Sequence, residues 1–481
     1  MRSRQQLSSW VGRQQEFQCQ RPCRRCRFTP NVEWVRRLSV ESFDVVVVGA
    51  RCAGSALAIY LARAGRRVCL VDKATFPSET PSTHVIQPRG VAILAELGAL
   101  EPVLAHGASQ LDSFSMVIDD VSLDGVLGDT FPHLGLNVRR TVLDHALLQV
   151  AGDVGVDVRT GCRVTGTRTE GLRVNGIDTV DGPIGAGLLV GADGRGSVVA
   201  KSVGAREYLA KPGGRIPVWG YFATGPQEPR LRIGRRGNFS FLASPTDSGL
   251  YMAAVGVDHR EIADFNRDRE ANYRKALRQW PELHSIVGDA DRDGPLRVMA
   301  NWHSYFRESA GPGWALVGDA GHFKDFSPGQ GISDALCQAK SLSIAVGTSV
   351  GSAAAQDASL KRWWKHRDRS SYDMYWFAMQ MAPPGPPSAL TAEVIRRIAA
   401  DPDGATTLLK VMNRDLPTAK LFTPPRLLAA SLTTLRNHPD QRRAIFAEIG
   451  TQMSAEIDKL RARLGSRPAE RPLNVVSKTK G

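Results

Sequence analysis

FDVVVVGARCAG, residues 43–54, is the stretch on which the fold of this chain turns. Phe43 to Val48 is a β-branched run of the length of a buried central strand. Gly49 starts a tight turn, and Ala53, Gly54 and Ser55 open a helix running through Leu61 to Ala64. A helix placed in this way points its N-terminal amides and the positive end of its dipole into the turn, where a phosphate would sit. Gly65 closes the helix, and Arg67 to Val71 form a second strand ending in Asp72, 23 residues after Gly49. A carboxylate there is placed to accept hydrogen bonds from a free ribose and would repel a 2′-phosphate, so NADP is not the expected ligand of this turn. In the spacing G-x-G-x-x-G the outer glycines are Gly49 and Gly54, and Arg51 stands in the middle position. Arg51 must either splay outward into solvent or lay its guanidinium along the phosphates.

Two later stretches repeat the pattern of an apolar run ahead of a Gly/Asp turn. Residues 188–197 read LLVGADGRGS, and residues 314–334 read WALVGDAGHFKDFSPGQGISD. In the last, Trp314 to Val317 is a strand ending at Gly318-Asp319-Ala320, and Pro328-Gly329-Gln330-Gly331 opens a helix through Ile332, Leu336 and Ala339. Together the three stretches resemble the flavoprotein monooxygenase superfamily, the p-hydroxybenzoate hydroxylase-like enzymes, over about residues 43–345.

The resemblance implies FAD as the ligand, with Gly49, Arg51, Gly54 and Asp72 at its dinucleotide end. It implies that Asp319, after Gly318, hydrogen-bonds the ribityl chain. The amides around Gly329, Gly331 and Ile332 would lie near the N1–C2=O edge of the flavin, where the helix dipole stabilises the reduced anion. Arg140, in Arg140-Thr141-Val142-Leu143, matches the family's Arg-x-x-Leu helix start and would contact FAD, and Val164 would flank the adenine through its backbone. The Asp-Gly signature falls at Asp193-Gly194-Arg195 with Ser197 in register. Ala200 and Lys201 stand where an arginine often ends that signature, so its link to a nicotinamide cofactor does not carry over. The stretch FPSETPSTHVIQPRGVAILAELGAL, residues 76–100, is also similar to bacterial FAD-dependent oxidoreductases and to the geranylgeranyl reductase branch.

The expected fold is α/β: an FAD-binding doubly wound Rossmann-type domain with an inserted antiparallel β-sheet substrate domain and C-terminal helices. The FAD-binding domain is expected from residues 41–200 and 296–350, and the insert from 201–295. In the insert, Arg215 to Ala223, Asn238 to Ala243 and Leu250 to Val257 have strand composition, and a polar helix is expected around Asn266 to Trp280. A helical region, 351–463, carries the aromatic and Met-rich run Tyr372 through Met381, which could line a tunnel, pack a core or form an oligomer contact. The breaker APPGPP follows at 382–387.

The net charge of +14 belongs to the ends of the chain. Residues 1–40 carry a surplus of +7 and residues 461–481 a surplus of +5, leaving +2 for the body. The body therefore gives no electrostatic reason to invoke nucleic acid. Residues 1–40 are expected to be a disordered extension and 464–481 a loose basic tail. Cys19, Cys23 and Cys26 lack a nearby fourth ligand for zinc, so no metal is expected. Cys52, Cys69, Cys162 and Cys337 are scattered singly, the usage of reduced thiols in a cytoplasmic protein. No apolar run approaches the roughly 20 residues needed to span a bilayer.

The leading expectation is an NAD(P)H-dependent monooxygenase. NAD(P)H would visit transiently as reductant, and molecular oxygen would be activated as a flavin C4a-hydroperoxide for insertion into an aromatic or apolar organic substrate. The alternatives are a flavin-dependent reductase of a prenyl or polyene chain and a non-catalytic flavin-binding module. A halogenase is disfavoured because Ile216-Pro217-Val218-Trp219 does not match W-x-W-x-I-P. His84, His322 and Lys324 are the side chains considered for acid–base help; no catalytic residue is assigned and the oligomeric state is left open.

Overall fold

The structure is a computed structural model that describes residues 40–464 except 83, 129 and 348–351. The expectations for the N-terminal extension, its three cysteines and the basic tail fall on residues outside that range.

The Phe43-to-Val48 run forms the middle of a parallel sheet, as strand Ser42–Val48. Its neighbours are Gly182–Gly191 on one side and Val68–Val71 on the other. Trp314–Leu316 and Asp157–Arg159 continue the sheet outward, all parallel. An antiparallel hairpin, Val164–Glu170 and Arg173–Thr179, hangs from the start of Gly182–Gly191. Val45 and Val47 pack toward the helices, whereas Val46 and Val48 pack toward the hairpin side. Burial on both faces is why this strand reads as an uninterrupted apolar run. Helix Cys52–Arg63 lies between helices Arg140–Asp153 and Gly331–Gly347. All three sequence motifs thus end at the same edge of one sheet.

The inserted sheet differs from expectation in two ways. It has seven strands, in the order Arg292–Val298, Arg215–Ala223, Leu250–Asp258, Phe239–Pro245, Arg230–Arg236, Ser113–Ile118 and Val121–Val126. Two of them come from the segment assigned to the FAD-binding part. The sheet is also mixed, because Arg230–Arg236 pairs with Ser113–Ile118 in parallel. The hairpin Ser113–Val126 was not legible because its outer strand exposes charged Asp124 and ends in glycine and valine, a weak alternation. The single polar helix around Asn266 to Trp280 is instead Ile262–Arg267 and Arg269–Leu277, broken at Asp268, which caps the second by accepting from the Ala271 amide. One face of the sheet packs Val218, Phe222 and Val255 against Tyr273, Trp280 and Leu283. The opposite face carries Trp219, Tyr221 and Met252.

Helix Ala353–Met381 resolves the aromatic run. Tyr372, Tyr375 and Trp376 pack around Phe306, while Met374 and Phe377 join a core with the C-terminal helices. Core packing accounts for most of the stretch.

The strand–turn–helix unit leaves no room for a side chain at Gly54. A Cβ there would lie 1.8 Å from the Gly49 carbonyl oxygen. Gly54→Ala is expected to cost about 3 kcal/mol or more despite the better helix propensity of alanine. The check is chemical denaturation of the two proteins; equal midpoints would contradict this packing.

Candidate functional site

A cavity of about 640 Å³ runs along the C-terminal edge of the parallel sheet and under the inserted sheet. Its size is that of a cofactor or drug-sized ligand site. Gly49, Arg51, Asp72, Arg140, Val164, Asp193, Gly318, Asp319, Gly329, Gly331 and Ile332 all border it. Gly54 does not; its contribution is the close packing just described.

At one end, Asp72 closes the second strand. Its two carboxylate oxygens accept from the amides of Ala50 and Ala74, both at 2.8 Å, which fixes the carboxylate beside the Gly49 turn. Gly49 has φ +104, and a Cβ on it would lie 2.5 Å from the Ala192 carbonyl oxygen, so only glycine suits both the turn and the contact. The helix that follows has no side-chain cap and no acidic residue in its first turn. Its amides and dipole therefore face the cavity without an internal anion.

Arg51 borders the cavity and has partners within the chain. Its guanidinium donates to Asp144 Oδ2 at 2.8 Å and to Ser78 Oγ at 3.1 Å. Arg140 donates to the other oxygen of Asp144 at 2.7 Å. Asp144 is fully buried and holds two arginines at the cavity edge. Burial works against the charge on Arg140, but Asp144 more than offsets it and keeps the guanidinium firmly protonated. Asp193 borders the cavity with its carboxylate turned away. It accepts from Ser197 Oγ at 2.5 Å and from the Val198 amide at 2.6 Å, which holds Ser197 as the N-cap of the helix Val198–Ser202.

Toward the middle, Asp319 faces the cavity. Burial raises its pKa to about 6, against the pull of Arg195 and Arg140. Arg195 also lies over the Phe323 ring. At the far end, Pro217, Trp219, Met299, Phe323 and Phe326 make an apolar wall beside Gly329 to Ile332. Asp325 sits within it, taking hydrogen bonds from the Ser327 amide at 2.8 Å and hydroxyl at 2.5 Å. Burial raises its pKa to about 6 as well. The Gly329 turn is held by Gln87, whose side-chain amide donates to the carbonyls of Pro328 and Gly329 at 3.3 Å.

Lys324 lines the cavity but is committed to Asp334, whose second oxygen accepts from Arg414 at 2.7 Å. Burial lowers the pKa of Lys324; on Asp334 burial is outweighed by Lys324 and Arg414, which keep it ionised. His322 is buried against Phe306 and held neutral by burial and the nearby Arg367. His84 lies behind the wall, paired through Nε2 with the Tyr221 hydroxyl, and burial holds its pKa at about 3. None of the three is placed as a free acid near neutral pH.

A glycine turn under an uncapped helix, a carboxylate at the end of the second strand and a helix start at the opposite end suit an extended dinucleotide. The match to known proteins agrees with that geometry. The chain belongs to the FAD binding domain family. The family spans residues 42–369. A menaquinone reductase of Mycolicibacterium smegmatis is 30% identical over 311 residues, 60% of this chain and 72% of that protein. A 6-methylpretetramide 4-monooxygenase of Streptomyces rimosus is 26% identical over 305 residues, 61% and 72% of the two chains. The solved structure of a flavoprotein/dehydrogenase from Cytophaga hutchinsonii has a TM-score of 0.69 and 20% identity, covering 82% of this chain and all of that one, which speaks for the fold. This flavoenzyme is thus an FAD-dependent oxidoreductase of the p-hydroxybenzoate hydroxylase-like group.

Sequence reading missed Asp144, Asp325, Arg195 as a cavity group and the Lys324–Asp334–Arg414 triad. Arg414 lies 80 residues from Asp334 with no motif around it. Asp144 sits four residues after Arg140, an i,i+4 pair that was visible in principle.

Asp319 supplies a pH test of this electrostatics. An acid whose pKa is raised on folding binds more protons folded than unfolded between about pH 4 and 6, so its contribution to stability falls as pH rises through that window. Thermal melts of the flavin-stripped protein should show that decline, and Asp319→Asn should make it shallower, the remainder belonging to Asp325. An unchanged slope in the variant would contradict the burial of this carboxyl.

Proposed function

We propose that this flavoenzyme reduces a carbon–carbon double bond of a prenylated, quinone-type substrate, with NAD(P)H as the transient electron donor. The observation that supports this reading is a small apolar void of about 40 Å³ within the core next to the cavity. It starts at Val85, which borders both, and lies between the inserted sheet and the C-terminal helices, lined by Phe114, Met116, Leu231, Ile233, Met381 and Met412. Three flexible methionines let such a void widen around an aliphatic chain. The mycobacterial relative, a menaquinone reductase, supports the same substrate class.

FAD would lie along the cavity in one direction. The Gly49 turn, the uncapped helix and Arg140 would hold the pyrophosphate, Asp72 the ribose, and the backbone at Val164 the adenine. Asp319 would hold the ribityl chain, and the amides of Gly329 to Ile332 the pyrimidine edge of the ring. The bound flavin supplies two electrons and a proton as hydride. Reduction of the double bond then needs one more proton, and Asp325 is the group placed to give it. Its carboxyl lies in the apolar wall, and a pKa of about 6 lets it hold a proton close to neutrality. The Asp325 proton would complete one of the two new C–H bonds, the other being made with the hydride that the flavin would supply when bound. Solvent reprotonates the carboxylate.

Oxygen insertion is the second reading, supported by the dry wall of Trp219, Phe323 and Phe326, which would shelter an oxidising intermediate, and by the monooxygenase relative. The two readings separate on one experiment. The FAD-loaded protein is reduced anaerobically by NADH or NADPH and given a menaquinone with an unsaturated side chain. A quinone that is still heavier by two hydrogens after the extracted quinol has been reoxidised in air, with one side-chain double bond lost, supports the reductase. Turnover only after air is admitted, with a product heavier by one oxygen, supports the monooxygenase and overturns the leading proposal.

Asp325→Asn should lower reductase kcat by about 100-fold, the scale of general-acid catalysis, while flavin content stays unchanged. Because the protonated acid is the active form, wild-type kcat should fall as pH rises through about 6, and the variant should lose that fall. A pH profile shared by both proteins would remove Asp325 from the mechanism.

A further inference from the structure

Segments far apart in the sequence meet at the start of the helix Gly331–Gly347, beside the Gly329 turn. Gln330 donates its side-chain amide to the Met412 carbonyl at 2.5 Å, and the Arg89 backbone amide donates to Asn413 Oδ1 at 2.8 Å. Arg414 follows with a left-handed φ of 66 and donates to Asp334, in the first turn of the helix, at 2.7 Å. Another of its nitrogens donates to the Ser370 carbonyl at 2.5 Å, so the guanidinium is held from two sides. The FAD-binding family match ends at residue 369, and Arg414 lies beyond it.

The charges gathered here do not cancel. Asp334 gives one carboxylate oxygen to Lys324 and the other to Arg414, so one anion serves two cations. All three side chains are enclosed, at 6% exposure for Asp334, 5% for Lys324 and 13% for Arg414. A surplus positive charge is therefore kept where water and salt screen it poorly. Burial opposes the charge on Lys324, and Asp334 works against that burial. Arg89 adds to the surplus, since its guanidinium lies near Asp334 and donates to Cys337 Sγ at 3.3 Å. The other acids nearby answer to other cations or to water. Asp319 feels Arg195 and Arg140 most among charged groups, Asp325 feels Arg215, and Asp415 is exposed. Lys324 and Asp334 border the cavity next to Gly329 to Ile332.

Resting on the placement of the flavin ring edge beside Gly329 to Ile332, we propose that Arg414 is a positioning residue for the flavin. By engaging one oxygen of Asp334, it leaves the surplus charge of Lys324 at the pyrimidine edge, where the anionic reduced ring is held more tightly than the neutral oxidised ring. An aspartate in the first turn would by itself cancel the positive end of the helix dipole, about half a charge. Arg414 removes that cancellation. The C-terminal region thereby acts on the redox poise of a cofactor whose frame lies wholly in the rest of the chain.

The full-length FAD-loaded protein is reduced stepwise without oxygen against reference dyes, at a pH where the reduced ring is the anion. This gives the midpoint potential with no substrate present. Arg414→Gln should lower the affinity for reduced relative to oxidised flavin by about tenfold, a fall of about 30 mV for a two-electron couple. Arg414→Lys should restore most of that loss. Lys324→Met should lower the potential as Arg414→Gln does, and Asp334→Asn, which removes the anion, should raise it. A site that had merely loosened would shift in one direction whichever charge was removed. If Arg414→Gln loses its flavin, the opposite shifts of Lys324→Met and Asp334→Asn still decide the matter. A wild-type potential in Arg414→Gln with FAD bound overturns the proposal and leaves the flavin site standing. Shifts of one sign in the lysine and aspartate variants overturn it in favour of a structural clamp. A wild-type protein that takes up no FAD overturns the ring placement itself.

Discussion

The closest constraint in this protein is the contact between a helix and the turn that precedes it. At Gly54 the helix Cys52–Arg63 approaches the Gly49 carbonyl so nearly that a methyl group would not fit, and Gly49 itself presses against the backbone of Ala192. That contact ties two motifs of one sheet together, since Ala192 ends the strand Gly182–Gly191 and precedes the Asp193 turn. It also sets the direction of the helix, and with it the field at the dinucleotide end of the cavity. Had either glycine carried a side chain, the helix would have to tilt or withdraw. The amides would then no longer converge on one place.

Around that frame the protein separates charges that serve structure from charges that face the ligand. Asp144, Asp193 and Asp334 are spent internally: the first holds Arg51 and Arg140, the second holds the N-cap of a short helix, the third binds Lys324 and Arg414. Asp319 and Asp325 have no such cation bound to them, and burial pushes both pKa values to about 6. Asp334 shows the contrast, because Lys324 and Arg414 outweigh the same burial and keep it ionised. A cavity wall with two near-neutral acids suits a flavoenzyme in which protons must accompany electrons.

The strands that the sequence revealed were those buried on both faces. Ser42–Val48 and Gly182–Gly191 read as apolar runs ending in glycine, and the helices after Gly49 and Gly331 were legible from the same turns. Ser113–Ile118 and Val121–Val126 were not, because the alternation in the second runs only from Val121 to Asp124 and is lost at Gly125 and Val126. The parallel pairing of Ser113–Ile118 to Arg230–Arg236 joins segments more than a hundred residues apart. Pairing at that distance leaves no local signal.

By itself the sequence determined the cofactor frame: three strand–turn units, the glycines at 49, 54, 318 and 329, and a carboxylate at Asp72. These follow from local rules, since glycine is required where the backbone turns or touches, and a buried strand must be apolar on both faces. Only the tertiary structure decided what the charged residues do. Arg51 became a partner of Asp144, Asp193 the support of a helix cap, and Asp325 an unpaired buried acid, because a carboxylate's role depends on which cation the fold brings to it. Those neighbours lie far away along the chain, and proximity in space is the one property that a sequence motif does not carry.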